Sequence, residues 1–355
     1  ANLMDVNLMD ANLGDANLSG VNLIGARLSG ANLSGANLST TRLQGADLSR
    51  ANLEGVNLSG FNLSRTNLNE TNLQGATLRG VNFQESYLYG ANLGQADLQG
   101  TDLSDTNLGM ANLSGADLSR AYLNRTKLVG ANLQGTILQE TKLGGANLTD
   151  ANLSGNDLRT TDFRSRYVSA EKGEKKRTGA EWANLTRANL SNTNLSGANL
   201  SGFTLTDVDL SGADLSGADL SEATLEVTLE GADLSHTKLT RANLSELNLS
   251  GRNFRGFDLQ GTDFSGANLS EADLSETNLH GANLSNTNLS RANLNGATLR
   301  DADIRWANLQ GARLDGVSLN EAIYNDRTRW PEGFDLSESG AVKKGFWFFS
   351  WGPRV

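Results

Sequence analysis

The sequence predicts an all-β solenoid whose chain turns a corner every five residues, and three observations lead there. The first is a unit of five, seen in Ala31-Asn32-Leu33-Ser34-Gly35 and Ala36-Asn37-Leu38-Ser39-Thr40. It runs unbroken over residues 1–165, with Leu at its centre except at Phe83 and Phe163. The second is the period. On a helix the central residue would drift by about 140° per unit and circle the axis. On a flat strand successive central residues would point to opposite faces. The third is the order inside the unit: a small residue, Asn or Asp, Leu, then two polar turn-formers. That order is a short extended piece with both apolar residues on one side, followed by a corner. A chain that turns the same way each time closes after about four units, a coil of about 20 residues, and stacks on itself. Ala and Leu rows then fill the inside, and Asn, Asp, Ser, Gly and scattered charge cover the outside.

The first array, 1–165, sets the four sides. Read at every twentieth residue, one side carries Asn12, Asn32, Asn52, Asn72, Asn92, Asn112, Asn132 and Asn152. Stacked amides at that spacing predict a hydrogen-bonded ladder. Two adjacent sides hold most of the exceptions: Arg27, Tyr87 and Lys127 on one, Arg42, Tyr122 and Lys142 on the other. These six are the candidate partner-contact residues of the array; the plainer reading is a solvated face that tolerates drift. The array starts in register at Ala1, from which further residues upstream are expected, since an open coil end invites edge pairing.

Residues 166–182 hold no proper unit. The run 171–177 is highly charged, and Lys175, Lys176 and Arg177 are its candidate contact residues. The plain reading is a solvated, mobile excursion from one corner; the sharper ones are a finger that touches a partner or a hinge between two tubes. The second array occupies 183–326. The piece Ala223-Thr224-Leu225-Glu226 is one residue short, and predicts Leu225 and Leu229 both inward with a tightened corner between them. Leu247, Arg252, Phe254, Phe257 and Phe264 make one stretch bulky, with Arg252 and Phe257 in small inward slots between Ala or Thr neighbours. From Arg327 the pattern is lost. The tail, 327–355, carries Trp330, Phe334, Phe346, Trp347, Phe348, Phe349 and Trp351. Large aromatics after a Leu column predict a lid over its end, with Trp330 nearest; the alternatives are a dimer contact or membrane-surface docking.

Composition excludes several functions. A hydrophobic content of 38% suits a thin internal column better than a globular core. The net charge of −10 disfavours direct binding to nucleic acid. With no Cys there is no disulfide, thiolate metal site or Cys nucleophile. His236 and His280 fall on outward corners far apart in sequence, with no nucleophile pattern beside them. Carboxylates are dispersed, and each Gly is a corner residue rather than part of a phosphate loop. No catalytic, metal or cofactor site is expected.

The unbroken Ala-(Asn/Asp)-Leu-X-X units resemble the pentapeptide repeat family, over nearly the whole chain, and cyanobacterial members in particular. The resemblance implies a right-handed quadrilateral β-helix, here with an interrupting loop and an aromatic C-terminal cap. The sequence does not decide the compartment: the cytoplasm is slightly favoured over a thylakoid-associated or lumenal site. The family's best-understood members resemble DNA in shape and charge and protect DNA gyrase; others carry no assigned activity. Two functions follow. One is a non-enzymatic scaffold or protein-interaction rod. The other is a DNA-mimicking modulator of a type II topoisomerase, by gyrase protection or inhibition, against which stand the Arg and Lys mixed among the acids.

Overall fold

Each five-residue unit folds as one extended step and one β-turn. In the unit 26–30, Leu28 is the first turn residue; its carbonyl accepts from Ala31 N–H at 3.0 Å, and Gly30 takes φ 70°. Positive φ at the third turn position alone marks a type II turn, which favours Gly there. The outward Asn or Asp closes the corner: Asn32 Oδ1 accepts from Ser34 N–H at 3.2 Å and from Ser34 Oγ at 2.8 Å. Asn, Ser and Gly thus recur because each supplies one part of the same turn.

The structure, a computed structural model, describes residues 1–165, 168–169, 176–177 and 181–344, and no helix occurs among them. Coils stack by parallel bridges between residues 20 apart, such as Asn32↔Asn52 and Asn52↔Asn72, so four units complete one turn. Leu33 N–H donates to Asn52 O at 2.8 Å, and Asn32 N–H to Ala11 O at 2.9 Å. The coil of Leu33 therefore bonds the one before it and the one after it. Leu23, Leu28, Leu33 and Leu38 point into one coil and are at most 2% exposed. Each such Leu contributes about 1.5–3 kcal/mol by burial. Inward Thr residues satisfy their hydroxyls on backbone carbonyls, of the preceding coil for Thr71, whose Oγ1 donates to Leu48 O at 2.7 Å, and for Thr101, to Leu78 O at 2.9 Å, and three residues back for Thr193, to Leu190 O at 2.6 Å.

The chain divides into two compact units. The first comprises 1–198, 206–215 and 228–233; the second comprises 199–205, 216–227 and the residues from 234 onward. Within the first unit the excursion at 166–182 is a paired hairpin where its residues are described. β1 (Arg164–Ser165) pairs antiparallel with β4 (Glu181–Trp182), and β2 (Val168–Ser169) with β3 (Lys176–Arg177). The Arg164 guanidinium lies 4.0 Å from the Trp182 ring centroid. On either side of it the stack continues: Asn147↔Asn184 and Asn152↔Asn189 bridge residues 37 apart instead of 20, the difference being the 17 residues of the excursion. A hinge between two tubes does not describe this point, because 183–194 lies directly on the coil before it.

The short piece is absorbed differently from expectation. Leu225 and Leu229 are both buried, but no tightened corner joins them. Instead β6 (Thr224–Thr228) runs straight, with inward and outward residues alternating, because one residue too few remains for a turn. β5 (Thr204–Asp209) keeps the ordinary corner, with Asp207 at φ 56° and Leu205 and Val208 buried on either side of it. Arg252 and Phe257 also depart from expectation: both are half-buried rather than enclosed, since slots sized for Ala and Thr cannot take them. Phe254 is fully buried and meets the Phe257 ring edge-on at 5.6 Å.

In the second unit the stack does not end at Arg327. Asn308 bridges Arg329, and β7 (Ile323–Tyr324) pairs in parallel with β8 (Val342–Lys343). Thr328 occupies an inward slot, 8% exposed, and donates to Ile304 O at 3.0 Å. The sequence pattern is lost there, yet the backbone completes a further stretch of coil.

Candidate protein-interaction surface

Outward positions stack in columns one coil apart, about 4.8 Å, so a side chain's neighbours are read 20 residues away. On the side bearing Asn12 to Asn152 the central column is uniform. Asn72 Nδ2 donates to Asn52 Oδ1 at 2.9 Å, Asn92 to Asn72 at 3.1 Å and Asn112 to Asn92 at 2.9 Å, forming the expected ladder. In the second unit Asn268, Asn288 and Asn308 form another on Asn248, at 3.1, 3.0 and 3.4 Å. These amides are spent on each other and present a closed, polar surface.

The side bearing Tyr87 and Lys127 differs. Its central column reads Arg27, Asp47, Asn67, Tyr87, Asn107, Lys127 through successive bridges. Tyr87 is 56% exposed. Beside it stand Tyr89, 47% exposed, Met110, 59%, and Val129, 38%. Glycines make the room. Tyr89 leans over Gly109, where an added Cβ would lie 3.2 Å from its ring, and Met110 lies over Gly130, where a Cβ would come within 2.6 Å of the sulfur. Tyr122, 49% exposed, sits on the adjacent side, bridged to Asp102 and Lys142. Three successive coils thus expose a continuous aromatic and apolar patch, the composition that binding surfaces concentrate.

Charge is arranged around it. Elsewhere on the first unit, basic side chains pair with acids one coil away: Arg50–Glu70 at 3.0 Å, Arg65–Glu85 at 3.0 Å, Arg120–Glu140 at 3.1 Å and Arg187–Asp150 at 2.6 Å. The hydrogen bond from Arg187 holds the Asp150 carboxyl below its ordinary value. Lys142 joins Asp162 at 3.2 Å. Among the described residues Arg27, Arg42 and Lys127 are exposed and make no ion pair. Met110 breaks a column that is otherwise glycine or ion pairs, running Arg50, Glu70, Gly90, Met110, Gly130, Asp150, Arg187.

The structure therefore places Tyr87 and Lys127 two coils apart in one column, with Tyr122 on the adjacent side, and Arg27 and Arg42 several coils away on the same two sides. Tyr89, Met110 and Val129 escaped the sequence reading because it compared only the Asn/Asp position. The signal was present: Tyr89, Gly109 and Val129 fall 20 apart in a position the unit usually gives to Ser. Lys176 and Arg177 lie in β3, opposite Ser169 and Val168; Lys175 lies outside the described residues. In the tail, Trp330 stacks on Phe334 at 5.3 Å and meets Tyr324 edge-on at 5.7 Å. Phe346, Trp347, Phe348, Phe349 and Trp351 lie outside the described residues.

Among the described residues no group of His, Asp and Glu could hold a metal ion, and no helix is long and apolar enough to cross a membrane. His280 Nδ1 lies 3.1 Å from Arg300 O and 3.5 Å from Asp301, an exposed surface contact.

A family model described as pentapeptide repeats matches residues 1–39, 46–84, 82–120, 116–155, 126–164, 183–225, 226–256, 253–286 and 277–316. No curated protein matches. Among solved structures, a pentapeptide repeat protein from Nostoc PCC 7120 is 41% identical over 30% of this chain and 83% of its own, with a TM-score of 0.21. HetL, a pentapeptide repeat protein of the same cyanobacterium involved in heterocyst differentiation regulation, is 27% identical over 91% of this chain and 89% of its own, TM-score 0.20. A pentapeptide repeat protein from the Arabidopsis thaliana thylakoid lumen is 31% identical over 31% of this chain and 70% of its own, TM-score 0.15.

Proposed function

Because the chain belongs to the pentapeptide repeat family, a stacked-coil fold whose outer columns can each be varied without disturbing the core, we propose that it is a non-enzymatic protein-interaction scaffold. The observation that carries this reading is the gathering of exposed Tyr87, Tyr89, Met110 and Val129 on three successive coils of one side, whereas the other exposed large apolar residues described, Met4, Met9, Tyr122 and Ile137, stand outside that patch. Burying two Tyr rings and a Met in a partner removes apolar area without breaking a ladder, and Tyr is enriched among residues that dominate binding. Trp330 and Phe334 fit a capping role better than a binding one, since their rings are engaged with each other and with Tyr324.

The DNA-mimicking reading draws on the net charge of −10, but finds less support. Mimicry needs uninterrupted negative columns, whereas coil-to-coil pairs such as Arg50–Glu70 and Arg65–Glu85 alternate the sign. A photocrosslinking phenylalanine analogue placed at Tyr87 in the native host tests the scaffold reading. One discrete protein adduct is expected, absent when the analogue replaces Asn72 on the ladder side and reduced by Met110→Ser. Equal adducts at both positions, or none at Tyr87, would overturn it. Purified gyrase should keep its supercoiling activity in the presence of the protein.

A further inference from the structure

We propose that the partner occupies this face with an acidic amphipathic α-helix laid along the stacking direction, an inference that rests on the interaction reading above. The first argument is spacing. Apolar side chains on the face recur once per coil, at Tyr87 and Tyr89, then Met110, then Val129. Coils repeat every ~4.8 Å and a helix turns every ~5.4 Å, so over two steps the mismatch is only about 1.2 Å. An extended strand repeats its same-face side chains every ~6.8 Å and would drift by about 4 Å over those two steps. One apolar residue per helical turn, at i, i+3 or i+4, and i+7, therefore meets one coil after another.

The second argument is charge. Lys127 and Arg27 stand in the same column as Tyr87, on opposite sides of it, and neither has an ion pair among the described residues. Asp47, between Arg27 and the patch, is already engaged by Asn67 Nδ2 at 3.0 Å and Ser49 Oγ at 2.7 Å. From Arg27 to Lys127 is five bridged steps, about 24 Å or roughly 16 residues of helix. Carboxylates on the flanks of such a helix would answer both cations. The described residues of a second copy hold no helix and so do not supply the occupant.

The test uses the full chain and a designed peptide of about 18 residues, with Leu on one helical face and Glu on its flanks. Saturable binding by fluorescence anisotropy is expected, with a gain of helical circular dichroism. Tyr87→Ser/Met110→Ser and, separately, Lys127→Glu should each weaken it about tenfold or more at unchanged melting temperature. A peptide of the same composition with the Leu residues scrambled off one face should not bind. No binding, binding without helix gain, or equal binding of the scrambled peptide would overturn the proposal. So would a wild-type dimer that Tyr87→Ser/Met110→Ser dissociates, which would assign the face to a second copy. A specific crosslink at Tyr87 together with failure of the peptide would remove the helix and leave the interaction role standing.

Discussion

Asn156 is the residue at which the interior chemistry is least complete. It occupies a small inward slot, 2% exposed, between Thr136 and Thr193 in the same column. Both threonines donate to a carbonyl at 2.6 Å, Leu133 O and Leu190 O. Asn156 Nδ2 does likewise, to Leu133 O at 2.8 Å, but its Oδ1 is buried without a hydrogen-bond partner. A buried polar atom left so costs about 1–3 kcal/mol. Asn156→Thr keeps the donor and removes the orphan acceptor, so it should stabilise the protein by about 1 kcal/mol, read as a raised urea midpoint at unchanged slope. A lowered midpoint would mean that Oδ1 is satisfied. Asp117 gives a second expectation. Burial pushes its carboxyl up, but hydrogen bonds from Ser119 and Gln99 outweigh that and hold it below the ordinary value. The folded state therefore favours the ionised form. The stability this adds is complete above the unfolded value near about 3.9, and is lost as pH falls through the lower folded value. Asp117→Asn should flatten the acid limb of the stability curve as pH falls below about 5, and an unchanged limb would show that the site does not contribute.

At the scale of the element, the legible and the illegible divide along one physical line. Where Leu and a corner residue recur every five positions, both the inward column and the turn could be read from sequence, because each depends on contacts within one coil and on stacking at a fixed offset. Leu225 and Leu229 were legible for that reason. The corner between them was not, since choosing a straight strand over a tight turn depends on how neighbouring coils pull the chain. Nor was the coil formed by 327–343, where backbone pairing to Ile323 and Tyr324 carries the fold after the side-chain pattern has gone. The binding patch was half legible: Tyr87 stood out against Asn, while Met110 became visible only with Gly90 and Gly130 around it. The hairpin yields a prediction at this scale. Joining Ser165 to Ala183 restores an unbroken register, Thr161-Asp162-Phe163-Arg164-Ser165 followed by Ala183-Asn184-Leu185-Thr186-Arg187. Ser165 would then take the left-handed corner, at a cost of about 1–2 kcal/mol. The excised protein should fold with a melting temperature within a few degrees of the full chain, and Ser165→Gly in that background should recover the difference. Loss of cooperative folding would mean that the hairpin holds the stack together.

For the molecule as a whole, each coil contacts only the coils next to it, so stability is a sum of intrinsic and nearest-neighbour contributions. Surface ion pairs add little to that sum, since exposed pairs such as Arg50–Glu70 and Arg65–Glu85 are each worth about 0–1 kcal/mol. The Leu columns and the backbone bridges carry it. Leu113 shows the consequence. It is fully buried, its N–H donates to Asn132 O at 2.7 Å, and its carbonyl accepts from Ala116 N–H at 3.0 Å. Leu113→Ala should cost about 2–5 kcal/mol, because a coil fixed above and below by bridges cannot collapse into the cavity. Leu113→Lys places an unpaired charge in the column and should break one coil outright. In a globular core such a change unfolds everything together. In a stack it should instead split the first unit's transition into two steps, with amides on the coil of Leu113 exchanging fastest and protection recovering on either side. A single transition with uniform loss of protection would show that the coils do not act as separable neighbours.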